Sequence, residues 1–194
     1  MPDRADLTEI IAQLASSDRA AREAAARELY RFGCALGDSI AARWGASPDF
    51  AALLAGPPTV GVAVQPGRFE KIRAANGSPR LADVPPDHDA KEFELHWSGG
   101  TSLDILTTRA PGEKGAIARF LEKFGEGIQQ VEYGVKDVER ATEILRTRFS
   151  QQPVYPQTRA GANDTRVNFF LAAAPDGRKV LIELVGVSNT KKGP

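Results

Sequence analysis

The stretch Gly125-Glu-Gly-Ile-Gln-Gln-Val-Glu-Tyr-Gly-Val-Lys-Asp-Val138 decides how the rest of the chain is read. Its centre alternates: Val131, Tyr133 and Val135 take one parity, and Gln130, Glu132 and Gly134 the other. That period-two pattern belongs to a strand with one apolar face. Asp137 then stands where a helix N-cap belongs, and Val138, Ala141, Ile144 and Leu145 follow at helical spacing. A strand over 128–135 therefore leads into an amphipathic helix over 137–149. Gly-Glu-Gly at 125–127 is not a phosphate loop, because it enters a strand rather than a helix. Downstream, Val154-Tyr155 reads as a short strand. Arg166–Ala172 and Lys179–Val185 then alternate around Pro175-Asp176-Gly177, a hairpin signal. Upstream, 110–124 reads as a connecting helix with Ile117, Phe120 and Leu121 facing inward, closed by Gly125.

The same order occurs earlier. Thr59-Val-Gly-Val-Ala-Val64 is a strand, Phe69 to Ala75 a short helix ending near Gly77, and Pro79 to Asp89 a proline-rich loop. Lys91–Trp97 and Thr101–Thr108 are alternating strands joined at Ser98-Gly99-Gly100. Residues 130–135 thus repeat the place of 59–64, and Val180–Leu184 that of Ser102–Leu106. Neither module, 56–109 or 125–190, can bury its sheet alone, so the two should pair into one barrel-like α+β domain over 56–190.

Before Gly56-Pro57-Pro58 the pattern is helical, an extension over 1–55. Leu7, Ile10, Ile11 and Leu14 have helical spacing and stop at Ser16-Ser17-Asp18, an N-cap for the next helix. That helix runs from Arg19 to about Phe32, with Gly33 as its C-cap. A third, around Leu36, Ile40 and Trp44, ends at Gly45, and Pro48 opens a piece through Leu54. These helices resemble a turn or two of a helical-repeat solenoid. Too short to stand alone, they should pack on the following domain or on a partner.

Composition narrows the classes. The 194 residues are 42% hydrophobic and 26% charged, as in an ordinary globular protein. Lys plus Arg equal Asp plus Glu at 25 each, so neither nucleic acid nor an anionic membrane is an expected partner. No apolar run approaches the roughly 20 residues of a membrane helix, and the polar start Met1-Pro-Asp-Arg-Ala-Asp6 does not read as a signal peptide. A cytoplasmic location is expected. Cys34 is the single cysteine; at a helix end with no histidine near, it reads as a buried structural thiol. His88 reads as a solvated loop residue, and Lys191-Lys192 as a frayed tail.

The opening stretch resembles the second half of methylmalonyl-CoA epimerases, members of the vicinal-oxygen-chelate superfamily, whose pattern is Gly-Glu-Gly-(Leu/Ile)-His-His-Ile-Ala-Phe-x-Val-x-Asp-Ile. Phe120-Leu-Glu-Lys-Phe124 is similar to that family's linker helix, and Arg166-Val-Asn-Phe-Phe170 with Val180-Leu-Ile-Glu-Leu184 to its closing hairpin. The likeness is good over about 110–187, weaker over 58–109 and absent from the N-terminal helices. It implies two βαβββ modules whose curved sheets enclose a cleft with a divalent metal. The family's two metal-binding histidines fall at Thr59 and Gln130, its ligand on the first module's last strand at Asp104, and its catalytic glutamate ligand at Glu183.

Strand parity supplies the rest of the site. Phe93, Leu95 and Trp97 alternate with Glu92, Glu94 and His96, and Leu103 and Ile105 with Ser102 and Asp104. Val167 and Phe169 alternate with Arg166 and Asn168, and Val180, Ile182 and Leu184 with Leu181 and Glu183. By itself the polar face is a solvated one; under the resemblance it lines the cleft. That cleft would hold Thr59, Glu92, Glu94, His96, Asp104, Gln130, Glu132, Arg166, Asn168 and Glu183. Crowded carboxylates raise one another's pKa and suit acid–base work or cation binding. The leading expectation is a small-molecule-binding protein with a degenerate metal site and no cofactor. The first alternative is a metal-dependent isomerase or lyase, with Asp104 and Glu183 on a divalent metal and Glu183, Glu92 or Glu94 exchanging a proton. The second is an interaction protein using the N-terminal helices. A small-molecule ligand is the expected partner, and a homodimer is compatible with the modules.

Overall fold

The computed structural model describes residues 4–112, 115–173 and 179–186. The turn expected at Pro175-Asp176-Gly177, the tail Lys191-Lys192 and the first residues Met1-Pro-Asp3 lie outside them. The described strands are β1 (Thr59–Ala63), β2 (Lys91–His96), β3 (Ser102–Thr107), β4 (Gly127–Val135), β5 (Arg159–Ala160), β6 (Arg166–Ala173) and β7 (Lys179–Gly186). They form one mixed sheet in the order β2-β3-β1-β4-β7-β6-β5. β1 and β4, the first strands of the two modules, pair antiparallel about Val60↔Val131 and so join the halves. Within each module the first strand pairs parallel with the last, β1 with β3 and β4 with β7.

The crossovers are helices: α4 (Pro66–Ala75) in the first module and α6 (Val138–Phe149) in the second. Asp137 caps α6 as expected, accepting from Arg140 N at 2.8 Å. The hairpin at Ser98-Gly99-Gly100 closes through Trp97 N to Thr101 O at 2.9 Å, with Gly99 and Gly100 at φ 76° and 77°. The connecting helix α5 (Ala116–Phe124) starts later than expected, beyond Pro111 and left-handed Gly112.

The modules are unequal. The second is βαβββ, whereas the first has two strands after its helix, because residues 77–90 cross as a loop held to β2 by Ala82 N to Glu92 O. Prolines 79, 85 and 86 explain this, since proline has no N–H to give a ladder. The same physics displaces the strand expected at Val154-Tyr155. Pro153 and Pro156 leave only a single bridge, Pro153↔Phe170, and the strand forms at Arg159–Ala160.

The N-terminal helices are α1 (Arg4–Gln13), α2 (Arg19–Gly45) and α3 (Pro48–Ala51). Asp18 caps α2 by accepting from Ala20 N. Gly33 does not end it: α2 is one helix of 27 residues. Its buried stripe, Ala25, Ala26, Leu29, Gly33, Gly37, Ile40 and Trp44, runs straight through the glycine. A Cβ on Gly33 would lie 2.4 Å from both Val60 methyls, and one on Gly37 2.5 Å from Tyr133 Oη. The glycines therefore let the helix lie directly on β1 and β4. Cys34, consequently, is mid-helix rather than at an end, and burial pushes its thiol pKa up.

Two apolar clusters follow. Ile11, Leu14 and Leu29 close over Val60, Val62, Phe69, Ile72, Phe93, Leu103 and Ile105 of the first module. Ile40, Trp44 and Phe50 close over Val131, Val135, Ile144, Leu145, Phe170 and Ile182 of the second. Trp44 meets Phe50 and Phe170 edge-on at 6.1 and 6.5 Å. The extension thus packs on the sheet, one of the two placements expected. No described helix is long and apolar enough to cross a membrane.

Candidate functional site

The face of the sheet away from the helices encloses a cavity of about 490 Å³, bounded by the loops before β2 and around β5 and by the start of α5. Its floor is set by register. Glu94 stands opposite Asp104, and Glu132 opposite Glu183. Between Asp104 and Gln130, in the same row, lies Gly61. A side chain there would meet Gln130 Cγ at 2.5 Å, so the missing side chain is what lets Gln130 lie across β1. Just beyond, the β1–β4 register slips between Gly61 and Val62, and both Gln129 and Gln130 line the cavity. Such an irregularity re-aims side chains where a regular ladder would send one away.

Gln130 is the hub of the floor. Its Nε2 donates to Glu183 Oε2 at 2.6 Å and to Glu132 Oε1 at 3.0 Å. Asp104, 5% exposed, has an Oδ1 with no hydrogen-bond partner. Burial, then the surrounding carboxylates, pushes the pKa of Asp104 and Glu183 well above the usual carboxylate range. Burial followed by Glu94 lifts Glu92 to about 7, with Arg109 opposing. Burial likewise lifts Glu132 to about 7, against the Gln130 hydrogen bond. Near neutral pH this cluster therefore retains protons that isolated carboxylates would have lost.

No protein-family model and no curated protein matches the chain. Solved structures do. The crystal structure of methylmalonyl-CoA epimerase from Mycobacterium tuberculosis is 30% identical with a TM-score of 0.58, covering 70% of this chain and 90% of that one. The chain belongs to the vicinal-oxygen-chelate superfamily. A hypothetical protein from Bacillus halodurans shares the fold at 22% identity and TM-score 0.58, covering 71% of this chain and 98% of its own. So does a Streptomyces coelicolor methylmalonyl-CoA epimerase in complex with 2-nitronate-propionyl-CoA, at 22% identity and TM-score 0.53, over 70% and 99%.

Against that superfamily frame, the residues expected in the cleft divide. Glu92, Glu94, Asp104, Gln130, Glu132 and Glu183 line the cavity together. Thr59 and His96 do not. They sit at the rim in a chain from Thr59 Oγ1 to Ser102 Oγ (3.2 Å), Ser102 Oγ to His96 Nδ1 (3.1 Å) and His96 Nε2 to Glu94 (2.8 Å), with His96 64% exposed. Arg166 and Asn168 face the other way. Asn168 is fully buried on the helix side, 3.5 Å from Thr142 Oγ1, and Arg166 binds Thr158 and Glu139. The reason is that Phe170 and Ala172 enter the core, which turns Phe169 toward the cleft. Arg166 and Asn168 mark one parity as polar, but Phe169-Phe170-Leu171-Ala172 is apolar at both, and the larger apolar residues that follow decide which parity is buried.

The superfamily's divalent metal is not matched by these residues. Gln130 directs its N–H donors, not an oxygen, at Glu132 and Glu183, and Thr59 lies outside the cavity lining. Among the described residues no group of three or more His, Cys, Asp or Glu side chains is placed to hold a metal ion. The borderline ions suited to imidazole–carboxylate sites find no imidazole among Asp104, Gln130, Glu132 and Glu183, and His88 lines the cavity from the loop before β2.

Sequence reasoning missed the opposite wall. Phe169 stands edge-on to Tyr155 at 6.1 Å, and Arg159 covers the Tyr155 ring at 4.3 Å while pairing with Asp87. Asp83 and Asn163 exchange two hydrogen bonds, tying the loops of the two modules across the mouth. His88, expected to be solvated, is half-buried on the cavity lining, its pKa lowered first by burial and then by Arg159. The aromatic pair left a trace in the sequence, two large rings in otherwise loop-rich surroundings, but only contact reveals it.

Proposed function

We propose that this vicinal-oxygen-chelate protein is a small-molecule-binding protein whose cleft works without a divalent metal. The observation that carries the reading is Gln130, whose amide spans Glu132 and Glu183 where a metal would need lone pairs. A volume of about 490 Å³ is of the size that encloses a drug-sized ligand. The test is metal analysis of purified protein with a melting scan in added Co, Zn, Mn or Ni. Substoichiometric metal and an unmoved Tm are expected; a stoichiometric ion overturns the reading.

A second reading draws on the 30% identity to the mycobacterial epimerase. It is an isomerase or lyase in which Glu183 and Glu92 or Glu94 move a proton at a carbon next to a carbonyl. Its check is solvent-deuterium incorporation into methylmalonyl-CoA by NMR, and no incorporation above the protein-free rate removes it. In either case we place the working unit over the whole chain, the 1–55 extension folding with the 56–190 domain because the two share their cores.

A further inference from the structure

The floor of the cleft holds more carboxyl groups than the protein pairs with cations. Among the described residues, the ion pairs made by its lining acids are His96 with Glu94 at the rim and Arg159 with Asp87 at the mouth. Gln130 satisfies one oxygen each of Glu132 and Glu183. Asp104 has nothing on Oδ1, though it is 5% exposed and lines the cavity. A buried carboxylate oxygen with neither a donor nor a countercharge is unfavourable, and the Asp104 side chain that carries it lines the cavity. The far wall is of the opposite kind: Phe169, next to Glu183 across β6 and β7, and Tyr155 present rings beside Leu181, Val185 and Ile117.

We propose that the cleft binds an organic cation, a protonated amine on a flat apolar or aromatic body, with the nitrogen on Asp104 and the body against Phe169 and Tyr155. The inference rests on the metal-free reading of this site and names its ligand class. An ammonium carries only donors, and its charge favours the ionised, acceptor-only form of the carboxyls beside it. An anionic ligand would meet Glu92 and Glu94 from β2, Glu132 from β4 and Glu183 from β7, acids whose ionisation a cation favours and an anion opposes; the cations about the cavity are Arg119 and Arg159 on its lining and Arg109, which acts on Glu92. A bare inorganic cation would leave most of the cavity and its aromatic wall unused. Aromatic faces add attraction for a positive body.

The test uses the full chain dialysed against a chelator, with metal content measured on the same sample. It is titrated by NMR with naphthylmethylamine, naphthylmethanol, naphthoate and ammonium chloride at constant ionic strength. The amine should bind roughly tenfold or more tighter than the alcohol, as expected for a hydrogen bond to a charged group. Naphthoate and ammonium should bind more weakly still. Asp104→Asn should bring the amine down to the alcohol's affinity, and Phe169→Leu should weaken amine and alcohol together. Equal binding of amine and alcohol, preference for naphthoate, ammonium as tight as the amine, or unchanged amine affinity in Asp104→Asn would overturn the proposal. The amine-to-alcohol ratio in the native chain decides the matter even if a variant misfolds. Stoichiometric metal in the dialysed sample refutes the metal-free reading, whereas a metal-free sample indifferent to the amine refutes only this inference.

Discussion

The helix-covered face of the sheet and the face lining the cavity are made by the same strands, residue beside residue, yet they meet opposite requirements. On the helix side Val60, Val62, Val131, Ile182 and Leu184 disappear under α1, α2, α4 and α6, and α2 approaches so closely that it needs Gly33 and Gly37. On the cavity side Glu92, Asp104, Gln130, Glu132 and Glu183 crowd together, and one carboxylate oxygen is left without a partner. The difference teaches where stability and function divide. Groups on the packed face gain by being buried, whereas burial of the acids on the other face raises the energy of their charged forms until something compensates. Such local inconsistency is what a functional site looks like in an otherwise self-consistent fold.

The contrast can be broken most violently at Trp44. Truncating it to Ala removes the ring that meets Phe50 and Phe170, and should cost about 3–5 kcal/mol in urea unfolding. A loss below about 1 kcal/mol would mean that the N-terminal helices do not stabilise the second module. Next comes Gly33→Ala. Helix propensity favours Ala by about 1 kcal/mol, but the new methyl would sit 2.4 Å from two Val60 carbons. Net destabilisation of about 1–3 kcal/mol is expected, and a stabilised variant would disprove the close approach.

On the other face the sign reverses. Asp104→Asn keeps the shape and removes a buried charge, so it should stabilise the ligand-free protein by about 1–2 kcal/mol at mildly alkaline pH. A pH scan extends the point. Glu92 and Glu132 are raised from 4.5 to about 7 on folding, so the folded state binds more protons than the unfolded chain across that window. Their contribution to stability is full below 4.5 and lost as pH rises through about 7. Tm should therefore fall between those values, with a shallower slope in Glu132→Gln; a Tm that rises instead would contradict the cluster. The smallest effect belongs to Arg166→Ala, which removes an exposed contact with Glu139 on the helix side. It should change stability by less than about 1 kcal/mol and leave amine binding unaltered.

Much of this contrast was legible in advance. Alternation on β2, β3, β4 and β7 separates the helix-facing from the cleft-facing residues, because on those strands the acids and Gln130 stand opposite in parity to the core residues. On β6 the polar parity, Arg166 and Asn168, continues into Phe170 and Ala172, and their entry into the core reverses the expected placement of Arg166 and Asn168 in the cleft. Thr59 and His96 had the right parity but lie toward the strand ends, and parity carries no information about depth along a strand. Gly33 resembles a stop because glycine ends many helices, although the apolar stripe of α2 continues through it.

What the sequence determined by itself was local: the repeat of strand, helix and hairpin, the caps at Asp18 and Asp137, and the proline loops. What the tertiary structure decided was relational. It laid one 27-residue helix over the seam of β1 and β4, turned the Gln130 amide onto two glutamates, and brought Tyr155, Phe169 and Asp104 onto the lining of one cavity. Periodicity and capping depend on residues a few positions apart, so they can be read along the chain. Close approach, burial and the pairing of charges depend on neighbours that only the closed sheet brings together.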